Sequence, residues 1–235
     1  MSNPQTPSRR VGVIGLGAMG AGIAQSLRRA GHDVHVYDIR KEACAAFAAQ
    51  GGVACATLAD MAAACDIVIS VVVNAQQTEE VLYGEGGLAA ALRPGAVFVM
   101  CSTVDPNWSI ALEARLEAQG ILYLDAPISG GAARAASGEM TMMTAGRAAA
   151  YDACGAVLES MAGKVYRLGD RAGAGSKVKI INQLLAGVHI AAAAEAMALG
   201  LREGVDADAL YEVITHSAGN SWMFENRMAH VLAGD

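Results

Sequence analysis

Between Val11 and Asp38 the chain has little freedom. A short β-branched run, Val11 to Ile14, leads into Gly15-Leu16-Gly17-Ala18-Met19-Gly20, and a helical stretch follows. In a G-x-G-x-x-G placed between strand and helix, the first glycine permits a tight turn and the second lets backbone approach a pyrophosphate. The third lets the helix pack closely on the strand. The diphosphate then rests on the helix N-terminus, where free N–H groups and the macrodipole favour negative charge. Asp38 closes the next β-rich run about twenty residues further on, where the pattern wants a carboxylate to accept ribose hydroxyls. Gly15, Leu16, Gly17, Ala18, Met19, Gly20 and Asp38 are therefore the cofactor-binding candidates. A carboxylate at that place repels a 2′-phosphate and favours NAD over NADP. Arg40 pulls the other way, because its guanidinium can swing onto a phosphate.

The pattern propagates. Strands are expected at Val11 to Ile14, Val34 to Tyr37, Ile67 to Val72, Val97 to Met100, Leu122 to Asp125, Met140 to Thr144 and Val165 to Leu168. Helices are expected between them, at Met19 to Ala30, Lys41 to Ala49, Leu58 to Ala63, Pro106 to Gln119 and Ala148 to Met161. Such alternation predicts an α/β fold, a Rossmann-type doubly wound parallel sheet covered on both faces. After Leu168 a glycine-rich joint, Gly169 to Gly175, ends the strands, and the rest reads as helix. The expected domains are 1–168, binding dinucleotide, and 169–235, an all-helical substrate or dimerisation part. With two or three helices and no closing pattern at Ala233-Gly234-Asp235, that second part reads as truncated and in need of a further segment or a partner chain.

Charge and cysteine usage exclude several classes. A net charge of -6 with no basic cluster beyond Arg9-Arg10 and Arg28-Arg29 offers nothing to nucleic acid. Five widely spaced cysteines without a C-x-x-C pair indicate neither a disulfide framework nor a zinc site, so a reducing cytoplasm and no metal are expected. Val178 to Leu201 is long enough to cross a membrane, but it holds Lys179, Asn182, Gln183, His189 and Glu195; a buried inter-domain helix is expected instead.

That helix carries the second constraint. Positions i, i+3 and i+4 project to one side, so Lys179, Asn182 and Gln183 converge on one spot. A buried ammonium without partners costs several kcal/mol, so Lys179 either faces a pocket receiving an anion or carbonyl, or titrates toward neutrality. Snorkelling to water is the bland alternative. His189, seven residues beyond Asn182, lies near the same face. It is either a partner for a distal substrate hydroxyl or an ordinary core histidine. Asn220 and Ser221, around Trp222, are comparable candidates that can equally cap a helix.

After the Leu122 to Asp125 strand comes Ala126-Pro127-Ile128-Ser129-Gly130-Gly131. Ser129, Gly130 and Gly131 offer a hydroxyl and closely spaced backbone N–H groups, a small nest for a substrate carboxylate; a plain turn is the alternative.

These segments together resemble the β-hydroxyacid dehydrogenases, the family typified by 3-hydroxyisobutyrate and 6-phosphogluconate dehydrogenases. The resemblance rests on Gly15 to Gly20, Ser102-Thr103 before Pro106, Asp125 to Gly131, and Gly173 to Gln183, in that order. It implies that the Ser129 loop binds the substrate carboxylate and that Lys179 is the general acid/base. Asn182 is implied as a partner of the substrate or of that lysine, and Thr103 as a neighbour of the nicotinamide. Lys177 lies about 200° around the helix from Lys179 and faces elsewhere. The run from Gly173 to Met197 with Ser217 to Phe224 narrows the resemblance to the branch that oxidises the 2-hydroxyl of a four-carbon sugar acid with NAD. The implied partner is a small hydroxy acid, and a homodimer or homotetramer is expected. Rival readings are action on 3-hydroxyisobutyrate, reduction of tartronate semialdehyde, and a non-catalytic dinucleotide sensor.

Overall fold

The structure is a computed structural model that describes residues 8–234. It packs as two compact units, Met1–Lys179 and Ile180–Asp235.

In the first unit, six parallel strands form one sheet in the order β3-β2-β1-β4-β5-β6. They are β1 (Arg10–Ile14), β2 (Asp33–Tyr37), β3 (Val53–Ala54), β4 (Ile67–Ser70), β5 (Val97–Met100) and β6 (Leu122–Asp125). The intervening helices are α1 (Gly20–Arg29), α2 (Lys41–Ala49), α3 (Leu58–Ala64), α4 (Ala75–Tyr83) and α5 (Pro106–Glu117). Because successive strand side chains point to opposite faces, each strand feeds two cores. Val11, Val13, Ile67, Ile69, Val97 and Val99 pack with Ile23 and Leu27 of α1 on one face. Ile14, Val68, Phe98 and Met100 pack with Met61 of α3 and Leu112 and Leu116 of α5 on the other. Each fully buried aliphatic side chain here contributes about 1.5–3 kcal/mol, so both faces hold the sheet against its helices.

Two strands expected in the main sheet lie elsewhere. β8 (Met140–Thr144) pairs with β7 (Ile128–Ser129) antiparallel and with β9 (Ala162–Arg167) in parallel, forming a separate three-stranded sheet. A bridge between Asp125 and Ala145 links it to the end of β6. Alternation of strand and helix cannot show this, since the period is the same whichever edge a strand joins. Also unforeseen were β3, β7, α4 and α6 (Gly131–Ser137); α4 buries only Thr78 and Leu82, too narrow a stripe to stand out as periodic. α7 (Ala148–Met161) packs Tyr151, Cys154, Leu158 and Met161 under the first core.

Helix α8 (Ala174–Arg202) begins in the first unit, so the joint Gly169 to Gly175 belongs with the Rossmann part. In the second unit the rest of α8 packs with α9 (Ala207–Thr215) and α10 (Trp222–Ala233) around Ala193, Met197, Phe224 and Met228. A Cβ on Gly200 would sit 2.2 Å from Leu210 Cδ2, so α8 and α9 approach at a glycine. The expectation that α8 is a buried helix is corrected. Ile181, Leu184, Leu185 and Val188 are each more than half exposed, because among the described residues that unit gives α8 two short helices to pack on. By length and composition alone α8 could cross a membrane.

Candidate active site

The cofactor loop divides its work among three glycines. Gly15 has φ +88°, and a Cβ there would meet the Val71 carbonyl oxygen at 2.9 Å. A Cβ on Gly20 would fall 1.8 Å from the Gly15 carbonyl oxygen, so only hydrogen lets α1 start this close to β1. Nothing lies within 4 Å of a Cβ on Gly17, which faces open space. No side chain caps α1, whose first turn has Ala21 N donating to the Gly17 carbonyl at 3.2 Å. An open backbone at an uncapped helix start is what a dinucleotide diphosphate fits. Leu16 is buried, and Gly17 and Ala18 are exposed.

Asp38, just past β2, is 7% exposed and receives hydrogen bonds from Leu16 N (2.6 Å) and Arg40 N (2.8 Å). Arg40 Nε and Nη2 add two more, at 3.2 and 3.3 Å. Burial alone would push the Asp38 carboxyl up; the Arg40 and Leu16 hydrogen bonds outweigh it and hold the group below the ordinary carboxylate value. Thr103, after β5, is exposed, and its neighbour Ser102 donates to the Val72 carbonyl.

Lys179 is 7% exposed, and its Nζ donates to the Ile128 carbonyl at 2.7 Å, immediately before Ser129. The ammonium thus lies beside the Ser129-Gly130-Gly131 loop. Gly130 (φ +139°) and Gly131 (φ +76°) occupy left-handed backbone that other residues avoid. Burial depresses the Lys179 pKa below the ordinary lysine value. Lys177 is exposed, as its helix angle requires. Asn182 and Gln183 follow one turn later on α8 and touch each other, Asn182 Nδ2 donating to Gln183 Oε1 at 3.3 Å.

What places Lys179 was not singled out from sequence. Asp125, fully buried at the end of β6, accepts from Gly173 N (2.8 Å), Ser176 N (3.0 Å) and Ser176 Oγ (2.7 Å). It caps α8 from another element. Burial is the largest influence on its carboxyl and raises the pKa, against the lowering by Ser176 and Gly173. Glu113 of α5, 1% exposed, accepts from Ala172 N and Arg171 Nε at 3.1 and 2.9 Å and fixes the preceding joint. A Cβ on Gly175 would meet the Met143 carbonyl oxygen at 2.4 Å, so this glycine lets the helix start against β8. The signal was present in Asp125 heading its own motif, but a capping carboxylate 48 residues before its partner Gly173 has no local signature.

His189 is exposed and lines a cavity of about 360 Å³ in the second unit with Asn220, Ser221, Phe224 and Ile214. Ser221 caps α10, accepting from Phe224 N at 3.0 Å, which is the structural role foreseen for it.

Residues 10–169 match the family model of the NAD binding domain of 6-phosphogluconate dehydrogenase. Residues 173–235 match that of the NAD-binding part of NADP-dependent 3-hydroxyisobutyrate dehydrogenase. The chain belongs to the β-hydroxyacid dehydrogenases. These are NAD(P)-dependent oxidoreductases acting on small hydroxy acids, which favours the catalytic over the sensor reading. Within the family, the chain is 67% identical to an L-threonate dehydrogenase of Cupriavidus necator over 97% of this chain and 77% of that one. An Escherichia coli K12 L-threonate dehydrogenase is 49% identical over 96% of this chain and 75% of that one. A crystal structure described as 3-hydroxyisobutyrate dehydrogenase from Salmonella typhimurium superposes with a TM-score of 0.93 at 48% identity, covering 97% of this chain and 80% of that one. This dehydrogenase chain therefore spans about three quarters of the length of the relatives it matches.

Proposed function

We propose that this dehydrogenase oxidises the 2-hydroxyl of L-threonate to the 2-oxo acid, with NAD as hydride acceptor and Lys179 as general acid/base. The observation that carries the chemistry is the buried Lys179 ammonium beside the Ser129 loop. The substrate choice rests on similarity to the L-threonate dehydrogenases. Ser129, Gly130 and Gly131 hold the substrate carboxylate, which sets the 2-hydroxyl toward Lys179 Nζ. The Gly15 to Gly20 loop and Asp38 would hold the dinucleotide, which would supply the hydride acceptor for the carbinol carbon. The hydroxyl proton passes to Nζ, so Lys179 must be neutral at that moment; its burial lowers the cost of that state. In reverse, the same ammonium polarises the carbonyl. Asn182 orients Lys179 or the substrate from one turn along α8, with Gln183 beside it, and Thr103 lies by the nicotinamide.

His189 lines the second unit's cavity with Asn220 and Ser221, polar groups that suit a distal hydroxyl of a polyhydroxy acid. The Asp38 carboxylate supports NAD over NADP. More than half-exposed Ile181, Leu184, Leu185 and Val188 support a homodimer or homotetramer, and five free, buried cysteines support a reducing cytoplasm.

A coupled assay comparing kcat/KM for L-threonate, 3-hydroxyisobutyrate and tartronate semialdehyde, each with the NAD and NADP couples, tests this. The expected outcome is highest efficiency with L-threonate and NAD. Higher efficiency with 3-hydroxyisobutyrate would move the chain to that activity and leave the Lys179 chemistry standing.

A further inference from the structure

A carboxylate offers about four acceptor positions, two on each oxygen. On Asp38 all four are taken. Oδ1 accepts from Arg40 N and Arg40 Nε, and Oδ2 accepts from Leu16 N and Arg40 Nη2. Two of these donors are backbone groups, Leu16 N in the turn after β1 and Arg40 N in the turn after β2, the latter pinned further by Asp38 N donating to Cys44 Sγ at 3.1 Å. They cannot leave without rebuilding those turns. The other two belong to one guanidinium whose side chain is 52% exposed, against 7% for the carboxylate it covers. Arg40 Nη2 also donates to the Leu16 carbonyl at 3.0 Å, so the guanidinium bridges the cofactor loop and the carboxylate. It occupies the two acceptor sites that a ribose 2′,3′-diol would need.

We infer that Arg40 is a reversible cap on Asp38, standing in for the ribose diol when no dinucleotide is bound, and acting in opposite directions on the two nicotinamide dinucleotides. For NAD the guanidinium must move off so that both hydroxyls can donate to Asp38, and its displacement subtracts from affinity. For a dinucleotide carrying a 2′-phosphate it need move little. It remains beside Asp38, neutralises its charge, and presents its fork to the phosphate oxygens. Arg40 therefore narrows the discrimination that Asp38 alone would impose. The inference rests on the dinucleotide reading of Gly15 to Asp38 and is independent of which hydroxy acid is oxidised.

The test measures dissociation constants of NAD and NADP by fluorescence titration of the full chain, without hydroxy acid, for the parent, Arg40→Ala and Arg40→Lys. An exposed pair of this kind is worth at most a few-fold in affinity, so Arg40→Ala should tighten NAD by about two- to fivefold. Loss of a charge-assisted phosphate contact should weaken NADP by about tenfold or more. Arg40→Lys, lacking the fork, should tighten NAD similarly and bind NADP at an intermediate level. Unchanged or weaker NAD binding by Arg40→Ala would overturn the cap, and so would parallel losses for both dinucleotides. Because no hydroxy acid is present, failure of the threonate reading leaves this result intact, and the reverse holds.

Discussion

Two helices in this chain begin at glycine-rich turns beside the ends of strands, and they use their N-termini in opposite ways. α1 starts at Gly20 with no side-chain cap, next to Gly17 with open space over it. α8 starts at Ala174 with Ser176 N of its first turn, and Gly173 N just before it, already taken by Asp125, a carboxylate from β6. The same partial positive charge is left for an anionic ligand in one case and neutralised internally in the other. An uncapped start can bind; a capped start can only position. At α8 the thing positioned is Lys179, less than two turns in, against the Ile128 carbonyl.

The comparison predicts unequal responses to substitution. The largest effect is expected at Lys179, where Lys179→Ala should lower kcat by about 10²- to 10⁴-fold, the usual contribution of a general acid/base. NAD affinity should stay nearly unchanged; a kcat within a factor of about three of the parent would remove Lys179 from the chemistry. In the parent, kcat/KM for oxidation should rise with pH as Lys179 of the free enzyme loses its proton. The midpoint should lie below the ordinary lysine value of 10.5, since burial lowers the Lys179 pKa, and a pH profile of kcat/KM reads this directly. The corresponding stability sign is that the desolvated ammonium destabilises the fold at neutral pH. That penalty is relieved as pH rises through the folded pKa toward 10.5.

Next in size are the glycines of the α1 turn. Gly20→Ala puts a methyl 1.8 Å from the Gly15 carbonyl oxygen and should cost about 3 kcal/mol or more in urea unfolding. Gly17→Ala, with nothing within 4 Å, should unfold almost as the parent does and lose dinucleotide affinity instead. Equal losses of stability in both variants would break the distinction between a packing glycine and a binding one. At the α8 start, Asp125→Ala leaves buried N–H groups of Gly173 and Ser176 without an acceptor and should cost about 1–3 kcal/mol. If Asp125 positions Lys179, kcat falls with it while NAD affinity holds, and an undiminished kcat would show that the helix start needs no such anchor. The smallest effect is expected at Ser221→Ala, about 1 kcal/mol from the loss of one N-cap in the second unit.

Much of this was legible because it is local. The strand, G-x-G-x-x-G turn, helix and Asp38 lie within about thirty residues, and their spacing alone names each glycine's task. Lys179 stood out because a charge on an apolar helix is expensive wherever the helix goes. The direction of Lys177 followed from helix angle alone, and it is exposed as that angle requires. Long-range choices left no such trace. Nothing within Met140 to Thr144 says that its neighbours are β7 and β9 and not the six-stranded sheet, because strand pairing is decided by which edges meet in space. Nothing in the joint Gly169 to Gly175 says that Glu113 and Asp125 will bind its N–H groups, since those carboxylates come from α5 and β6. Nor does the apolar run of α8 say how much of itself will be covered: hydrophobicity records a tendency to be buried, and the partners present decide the outcome.

The amino-acid sequence by itself determined the βαβ start, the carboxylate at Asp38 and a lysine that must be buried or paired, because backbone sterics and helix periodicity act over a few residues. Only the tertiary structure decided that Arg40 lies over Asp38, that Asp125 caps α8, and that Lys179 reaches the Ile128 carbonyl 51 residues earlier. Each of those contacts joins groups whose separation along the chain carries no geometric information until the sheet has brought them together or, for Arg40, until the turn after β2 has folded its side chain back.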